Sequence, residues 1–522
     1  MMSWSSLGRI ATQPFSIPLP KAGLGSEDLK TYGPAATITA AGLLVVAGAW
    51  NFYCCIRPTK RPTGPQLAEG HWLLGNMLDE MKYASKFENF NWSTGLHAKY
   101  GKTFMFKSPT KPYVVDTTDP RIVEHVLKTN FENYVKGAWF TDRLTDLLGS
   151  GIFNADGDLW HGQRKTASHM FTANQFKNHI WKVVQKNCQT LNDLLRKSAQ
   201  REEVVDLFNV LNRFTLDTIG SIGFARDIGS LSNADSPFLK SFDRAQQISL
   251  WRFINPMWFI FRALGLGEES EARRHFRLLA DYSLETVRML KEDPTGEKAD
   301  SFVGMFVAEA KTNGAKVADD AFLKDMVLNF LIAGRDTTAQ AMSWIFWLLM
   351  GHPEVEQKLL EEIELEIGDG PITYENSGRL RYLQSVINEG LRLYPSVPVD
   401  SKMSLADDVL PDGTILPAGN VVQYNIYAMG RCTELWGEDA AEFRPERWEG
   451  KNLPSSYIYP AFNAGPRECL GKRLAWVEMR ACIAEVMRNF HLELAVSREC
   501  VKTDVQLTIG MSSGLPIRLR AR

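Results

Sequence analysis

A helical period dominates the spacing of apolar and polar residues along this chain. In long stretches apolar residues recur every three to four positions, which is typical of a helix with one face in a core. Seven stretches are long enough to be predicted as helices: 174–199, 240–255, 270–292, 319–350, 353–366, 379–393 and 472–490. The segment 319–350 is the longest of them and is strongly apolar.

Stretches with the alternating pattern of β-strands are short by comparison. They are 103–107, 111–116, 414–416, 420–424 and 505–519. The last of them predicts a hairpin that turns near Ser512-Ser513-Gly514, because small and glycine residues favour tight turns. No linker, repeat or charge run interrupts residues 71–522. The pattern therefore predicts one mainly helical (α+β) body with small β-sheets.

A run of 22 uncharged residues, 35–56, precedes this body. At 1.5 Å per residue a helix of that length spans about 33 Å, which is enough to cross a bilayer core. Pro58, Pro62 and Pro65 then favour an extended stalk over a helix. We therefore predict an N-terminal segment (1–34), a transmembrane anchor (35–56), a proline-rich stalk (57–70) and the body (71–522).

The charges around the anchor indicate on which side of a membrane the body lies. Arg57, Lys60 and Arg61 follow the anchor directly, which favours a cytosolic body. The alternative is a targeting peptide that directs the protein to an organelle, since residues 1–26 contain serines and basic residues but no acidic residue.

Composition excludes several functional classes. The net charge of −2 gives no bulk attraction for nucleic acid. The seven cysteines lack the spacing of a zinc or iron–sulfur site and argue against a disulfide framework. Gly265-Leu266-Gly267 lacks the third glycine of a dinucleotide-binding loop, so a redox reaction here would receive its electrons from another protein.

Cys469 lies in the most informative segment of the chain, 462–471 (FNAGPRECLG). Gly465 and Gly471 let the backbone bend and approach a flat cofactor closely. Arg467 can meet an anionic propionate, and a helix that begins near Gly471 would favour the ionised sulfur. These features suit a thiolate ligand to a single haem iron. The alternative is an ordinary thiol in a glycine-rich turn.

A second motif, 333–338 (AGRDTT), lies inside the apolar segment 319–350. Ala333 and Gly334 remove side-chain bulk, and one reason for that would be space for dioxygen. A threonine hydroxyl can bond back to a carbonyl and open the helix. Asp336 and Thr337 together could then deliver protons to bound oxygen. The alternative is a glycine–threonine kink in a core helix.

The segment 251–264 (WRFINPMWFIFRAL) is rich in aromatic and aliphatic residues. It could pack in the core. It could instead form a lip that dips into a membrane and admits lipid substrates.

Taken together, these motifs resemble those of the cytochrome P450 monooxygenases and occur in that family's order along 71–522. The resemblance implies the cytochrome P450 fold and haem b (iron protoporphyrin IX) held by Cys469, with Phe462, Gly465, Arg467 and Gly471 completing its loop. It assigns oxygen activation to Asp336 and Thr337.

The resemblance also implies roles for residues outside the two motifs. Trp160 and Arg164, on one helix face, would donate to a haem propionate together with Arg467, and Lys402 would be a further propionate partner. Without the family context, Trp160 and Arg164 would form a surface cation–π pair.

Three further residues match a structural motif of the family. Glu389 and Arg392 resemble its Glu-x-x-Arg pair, and Arg447 stands where the third member is expected. Outside the family, such an acid–arginine pair is common on solvated helices and contributes only about 0.2–0.5 kcal/mol.

Several segments resemble the fatty-acid ω-hydroxylase branch of the family. They are 133–137 (NYVKG), 147–157 (LLGSGIFNADG), 163–167 (QRKTA), Arg335 and 393–402 (LYPSVPVDSK). This resemblance implies hydroxylation of a fatty acid at or near its methyl end. It also implies electrons from NADPH–cytochrome P450 reductase, with cytochrome b5 as an optional second partner, and a place in the endoplasmic reticulum membrane.

Other functions stay open at this point. The substrate could be another lipid or a secondary metabolite. A haem-thiolate isomerase or dehydratase would use neither dioxygen nor a reductase, but such an enzyme does not need Asp336 and Thr337. A haem-binding sensor would leave the same pair and the apolar segment unexplained.

Overall fold

A long helix running through the middle of the body organises the fold, and shorter helices and small sheets pack around it. The computed structural model describes residues 59–72, 74–108, 112–168, 176–255, 257–293, 301–313, 319–450 and 453–522. The predicted N-terminal segment (1–34) and anchor (35–56) lie outside these residues. Within the described ranges, no helix has both the length and the apolarity that crossing a membrane requires.

Helices form most of the described structure. In chain order they are α1 (Met77–Ala84), α2 (Asn89–Tyr100), α3 (Pro120–Glu124), α4 (Ala138–Leu148), α5 (Gly157–Ser168), α6 (Trp181–Gln200), α7 (Leu207–Phe224), α8 (Pro237–Ile254), α9 (Trp258–Leu264), α10 (Glu269–Lys291), α11 (Phe302–Asn313), α12 (Asp320–Leu349), α13 (Pro353–Glu366), α14 (Tyr374–Ser377), α15 (Arg381–Leu393), α16 (Ile426–Met429), α17 (Thr433–Trp436) and α18 (Lys472–Asn489). Short 3₁₀ or π-helical turns lie at His125–Thr129, Phe131–Asn133, Phe176–Ile180, Pro445–Trp448, Gly465–Arg467 and Arg498–Cys500.

The predicted helices correspond closely to this order. Six of the seven match α8, α10, α12, α13, α15 and α18, and the seventh, 174–199, is the π-turn Phe176–Ile180 followed by α6. The prediction of a mainly helical body with small sheets is confirmed.

The strands form four small sheets. In chain order the strands are β1 (Gln66–Leu67), β2 (Thr103–Phe106), β3 (Val114–Thr117), β4 (Tyr134–Val135), β5 (Val205–Asp206), β6 (Asp400–Ser404), β7 (Asp408–Val409), β8 (Ile415–Leu416), β9 (Val421–Tyr424), β10 (Phe490–Leu494), β11 (Thr503–Val505), β12 (Ile509–Met511) and β13 (Pro516–Ala521). The largest sheet has the order β1-β2-β3-β9-β6-β4. The smaller sheets are β10-β13-β5, β11-β12 and β7-β8.

The register of the largest sheet places polar residues of β6 beside β9. The two strands are antiparallel, with Asp400 opposite Tyr424 and Lys402 opposite Val422. Asp400 and Lys402 are two residues apart, so their side chains leave the strand on the same face. This pairing brings an acid and a base into the interior.

The C-terminal hairpin differs from the prediction. The turn lies at residues 506–508, between β11 and β12, whereas β13 leaves this pair and joins β10 and β5. The predicted turn at Ser512-Ser513-Gly514 is the connection from β12 to β13. Small residues mark only the connection from β12 to β13, whereas the hairpin turn at 506–508 is Gln506-Leu507-Thr508, so the composition pointed to the wrong turn.

The predicted stalk is tied to the body over its described part, 59–70. Thr63 forms a β-bridge with Ile415, and β1 pairs in parallel with β2. Thr59 donates to the side-chain oxygen of Asn420 at 2.6 Å. The segment is extended, as its prolines favour.

Helix α12 lies in the principal core, because most of its 30 residues are buried. Asp319 caps its first turn, and its carboxylate accepts from the backbone N–H of Ala321 at 3.2 Å. Gly334 lies against α7: a Cβ added there would be 2.5 Å from the side chain of Ile219. The expectation that Gly334 makes space for dioxygen is therefore wrong, since the missing side chain allows close packing of two helices.

Candidate active site

Cys469 lies at the end of a tight loop that leads into α18. The loop holds the 3₁₀ turn Gly465–Arg467, and the backbone N–H of Cys469 donates to the carbonyl of Phe462 at 2.8 Å. Helix α18 begins at Lys472, with Gly471 as its N-cap. The thiol is thus held next to the start of a helix, as the sequence predicted.

Cys469 has accessible surface, although protein atoms lie densely around its thiol and desolvate it. Burial raises the pKa of Cys469, while the Gly471 N–H and the positive charge of Arg164 oppose that rise. The Lys472 charge acts in the same direction, so the protein itself supplies three groups that stabilise a thiolate. A bound metal ion would ionise the thiol outright.

Gly465 is required by the shape of the loop. Its φ is +60°, and a Cβ there would lie 2.2 Å from the carbonyl oxygen of Leu127. Both the positive φ and the close backbone contact exclude a side chain. Gly471 is less restricted, because the nearest atom to an added Cβ is the Cys469 Sγ at 3.8 Å.

Arg467 joins the Cys469 loop to the start of α5. Its guanidinium donates to Asp156 at 2.7 Å and to the carbonyl of Ala155, and it stacks 4.0 Å above the ring of Trp160. Burial lowers the pKa of Arg467, and Asp156 opposes that effect. Its Nε is buried and has no hydrogen-bond acceptor among the described residues. An acceptor supplied by a ligand would satisfy it.

Arg164 lies one turn after Trp160 on α5, near the thiol. Burial lowers the pKa of its guanidinium, while the charges of Cys469 and Glu468 oppose that change. In the described part of the chain Arg164 has no ion-pair partner. Trp160, by contrast, is buried. The structure thus brings Trp160, Arg164 and Arg467 together around Cys469.

Lys402 belongs to a buried cluster centred on Asp400. The Asp400 carboxylate accepts from Lys402 at 2.8 Å and from Lys136 at 3.1 Å. It also accepts from Tyr424 at 2.6 Å and from Asn463, a residue of the Cys469 loop, at 3.1 Å. The cluster therefore connects β6, β9 and the loop.

The charges in this cluster affect one another strongly. Burial lowers the pKa of Lys402 to about 7, although Asp400 raises it. For Asp400, burial raises the pKa, but Lys136 and Lys402 outweigh it and hold the carboxyl well below its usual range. A second carboxylate near Lys402 would raise the pKa of this lysine again and keep it charged.

The charge balance of these residues fits a haem. Arg164, Arg467, Lys136 and Lys402 are cations, whereas Asp156 and Asp400 are the carboxylates paired with them. The excess of two positive charges would offset the two negative charges of the propionates of haem b. The unsatisfied Arg467 Nε could donate to one of these propionates. The residues present therefore suit the haem that the sequence predicted.

Asp336 is part of a buried chain of charges on α12. Arg335 Nη1 donates to Asp336 Oδ1 at 3.1 Å and to Asp243 Oδ1 of α8 at 2.6 Å. Burial raises the pKa of Asp336 to about 6, although Arg335 lowers it. Its Oδ2 has no hydrogen-bond partner among the described residues. Because Asp243 is half exposed, the chain links the interior with the surface.

Thr337 adds side-chain hydrogen bonds to α12, which is one continuous helix from Asp320 to Leu349. Its hydroxyl donates to the carbonyl of Ala333 at 2.7 Å, and its own carbonyl accepts from the Ser396 hydroxyl at 2.6 Å. Such back-bonding bends helices. Thr337 is only half buried, so its hydroxyl oxygen can still accept a hydrogen bond.

Glu389, Arg392 and Arg447 form one buried network. Arg392 donates twice to Glu389 at 2.8 Å, and Arg447 Nε donates to it at 3.3 Å. The indole of Trp448 also donates to Glu389, at 2.9 Å. Arg392 further bonds the carbonyls of 430, 440 and 442. The network fixes the segment 430–448, ahead of the Cys469 loop, and leaves no group free for chemistry.

The apolar segment 251–264 is divided between core and surface. Arg252 is buried and pairs with Glu269 at 2.5 Å, and Phe253 packs against Trp139. Ile254, Met257 and Leu264 are exposed, and α9 buries none of its residues. The core alternative therefore applies to Arg252 and Phe253, whereas the membrane lip stays a prediction for the exposed residues.

The sequence analysis missed Lys136, Asp400 and Asp243 as site residues. Lys136 and Asp400 lie within segments that were quoted for the branch resemblance. Asp400 stands two residues before Lys402, and this spacing places both on one side of a strand. Nothing in the sequence pairs Asp243 with Arg335, because 92 residues separate them.

Comparison with known proteins adds the family. A family model described as cytochrome P450 matches residues 65–515. The chain is 36% identical over 481 residues to "Cytochrome P450 86B1" of Arabidopsis thaliana, covering 86% of this chain and 85% of that protein. It is 37% identical over 446 residues to "Cytochrome P450 CYP94D109" of Paris polyphylla, covering 80% and 88%. It is 34% identical over 440 residues to "Cytochrome P450 94A1" of Vicia sativa, covering 80% and 84%.

Proposed function

The chain belongs to the cytochrome P450 family and is a haem-dependent monooxygenase, and from that premise we propose that it hydroxylates a fatty acid at or near its methyl end. The substrate rests on segments that resemble the fatty-acid ω-hydroxylase branch, among them 133–137 and 393–402. The exposed apolar helix α9 is the structural observation that supports it, because it offers a lipid a contact surface.

We assign Cys469 as the ligand to the haem iron. Trp160, Arg164, Arg467 and Lys402 hold the propionates, and Lys136 joins them. When bound, a haem thiolate favours cleavage of the O–O bond of dioxygen. The Gly471 N–H and Arg164 favour the ionised sulfur, and the bound iron would supply the remaining stabilisation. Phe462 packs edge-on against Trp476 at 5.7 Å and so fixes the first residue of the loop.

Asp336 and Thr337 move protons in this scheme. The Thr337 hydroxyl donates to the carbonyl of Ala333, and its oxygen accepts a hydrogen bond from a donor at the haem. Asp336, with a pKa near 6, exchanges protons close to neutral pH, and Arg335 and Asp243 connect it to the surface. An isomerase or dehydratase would have no use for this chain of charges.

The fatty acid enters beside α9 in our proposal. Ile254, Met257 and Leu264 contact the lipid or the membrane that supplies it. Arg262 is exposed on the same helix, where it pairs with Asp146 at 2.8 Å. We assign Arg262 to the substrate carboxylate, so that the methyl end points toward the iron.

The test is turnover of the haem-loaded full chain with a reductase, NADPH and fatty acids of about ten to eighteen carbons, chosen because each buried CH₂ contributes about 0.8 kcal/mol. We expect terminal or near-terminal alcohols, and an affinity that rises with length until the site is full. Arg262→Gln should raise KM for the acid and leave KM for the corresponding fatty alcohol unchanged, whereas the control Arg520→Gln should change neither.

Oxidation of a sterol or polycyclic compound instead of every fatty acid would refute the substrate and keep the monooxygenase. Product formed without NADPH or dioxygen would favour the isomerase alternative. These two outcomes are distinct, so the substrate and the reaction class are tested separately.

We also propose that residues 35–56 anchor the protein in the endoplasmic reticulum membrane, with the body in the cytosol and a membrane-bound reductase as partner. The uncharged run and the basic residues after it support this proposal. Deleting residues 1–56 should release most of the protein from membranes while haem still binds. Complete retention on membranes after the deletion would contradict the anchor.

A further inference from the structure

A cavity of about 880 Å³ lies between α2, the C-terminal half of α12 and the segment 498–503. It shares no lining residue with the Cys469 loop, the cations near it or the motif 333–338. Trp344 and Tyr427 are buried at its floor, whereas Gly95 and Lys502 are exposed at its rim. Its volume lies in the range of small-molecule sites, about 300–1,000 Å³.

The walls of this cavity are mainly aromatic. Trp344 and Tyr394 stack with ring centroids 4.2 Å apart and planes at 6°, and Trp347 meets both rings edge-on. The other aromatic residues of the lining are Tyr83, Phe87, Trp92 and Tyr427. Flat aromatic walls favour a planar aromatic ligand, because offset stacking adds to the burial of apolar surface.

Arg498 places a positive charge in the wall of the cavity, whose lining also holds Lys502, Glu88 and Glu499. Its guanidinium lies 3.5 Å above the Trp347 ring and donates to the Trp347 carbonyl at 2.9 Å. Lys502, the other lining cation, pairs with Glu88 at 3.2 Å. Glu499 accepts from the hydroxyl of Ser497, and within the described residues no carboxylate forms an ion pair with Arg498. Its remaining N–H groups can therefore bind a carboxylate.

We propose that this cavity is a second, regulatory binding site for a planar aromatic carboxylate. The ring system of the ligand stacks against Trp92, Trp347 and Tyr394, and its carboxylate meets Arg498. The site is separate from the haem and from the substrate.

A short series of hydrogen bonds connects the cavity floor with the oxygen-activation motif. The Trp344 indole donates to the carbonyl of Ile509 at 3.4 Å, and the Ile509 N–H donates to the carbonyl of Ser396 at 2.9 Å. The Ser396 hydroxyl donates to the carbonyl of Thr337 at 2.6 Å. A ligand that stacks on Tyr394 would act on Trp344, which stacks on the same ring, and through this series on Thr337 and the delivery of protons.

The test is equilibrium dialysis of the haem-loaded full chain with 2-naphthoate. Gly95 offers a clean variant, since a Cβ there meets no atom within 4 Å, so Gly95→Phe adds a ring to open space at the rim. We expect one bound naphthoate per chain. Gly95→Phe and Arg498→Gln should weaken binding at least tenfold, whereas Gly95→Ala and Arg520→Gln should leave it unchanged.

The regulatory effect is measured as the fraction of NADPH electrons recovered as peroxide, with reductase and without added substrate, so that it depends on the monooxygenase class and not on the fatty acid. Saturating naphthoate should change that fraction at least twofold in the wild type and not in Gly95→Phe. Absence of saturable binding, equal binding by Gly95→Phe, or competitive displacement by imidazole would overturn the site. Binding with an unchanged peroxide fraction would overturn its regulatory role.

Discussion

Replacing Arg335 with glutamine should move the pH at which proton delivery changes. Arg335 donates to Asp336 at 3.1 Å, and its positive charge lowers the pKa of this carboxyl, which burial has raised to about 6. Removing the cation leaves the burial and the like charge of Asp243 in place. Both favour the protonated acid, so the pKa of Asp336 must rise.

The size of the rise follows from the geometry. A unit charge about 4 Å away contributes about 4 kcal/mol at an effective dielectric constant of about 20. Since about 1.36 kcal/mol corresponds to a pKa difference of one, the pKa of Asp336 can rise by at most about 3. Solvent and rearranged hydrogen bonds reduce this rise, so we expect the pKa of Asp336 in Arg335→Gln to lie about 1–3 above its value in the wild type.

The assay is the peroxide fraction of NADPH oxidation, measured from about pH 5.5 to 9, a range chosen to contain both expected pKa values. The peroxide fraction of the wild type should change near pH 6, where Asp336 titrates. Arg335→Gln should change at higher pH, Arg335→Lys should stay close to the wild type, and Asp336→Asn should show no such change. An unaltered or acid-shifted profile in Arg335→Gln would refute the role of this charge pair.

Three further predictions concern the distal threonine, the loop and the buried network. Thr337→Ala should keep haem but lose about 10²–10⁴-fold in productive proton transfer and release more peroxide. The control Ser343→Ala removes the same kind of back-bond on α12 and should do neither. An equal yield of product per NADPH in both variants would contradict the assignment. Gly465→Ala should lower the haem content severalfold and Gly471→Ala much less, because only position 465 has a positive φ; equal haem content would show that the loop tolerates a side chain. Glu389→Gln should destabilise the fold by about 3–5 kcal/mol in urea unfolding, since it leaves buried Arg392 without its anion and Arg447 with Asp439 alone. A loss below about 1 kcal/mol would mean that this network is not structural.

Local patterns in the sequence predicted those parts of the site that lie close together along the chain. Cys469 and its glycines fall within ten residues, and Glu389 and Arg392 lie one turn apart, so each forms a short motif that the family resemblance could assign. The long helices were predicted for a similar reason, since an apolar face that repeats every 3.6 residues can be read directly.

The remainder depends on contacts between distant parts of the chain. Lys136 and Asp400 are 264 residues apart and meet only because β4, β6 and β9 share a sheet. The role of Gly334 was misjudged, because the sequence cannot show that Ile219 packs against it. Residue type limits what each group can do, but the tertiary fold decides which partner it meets.

The carbon-monoxide difference spectrum of the reduced Cys469→Ser protein tests the central claim most directly. We expect the red-shifted band of a thiolate-ligated haem in the wild type and in the control Cys500→Ser. Cys500 is exposed and lies outside the Cys469 loop. Cys469→Ser should lose that band even if haem is still bound. A red-shifted band that persists in Cys469→Ser would mean that another residue ligates the iron, and it would contradict the whole assignment of the site.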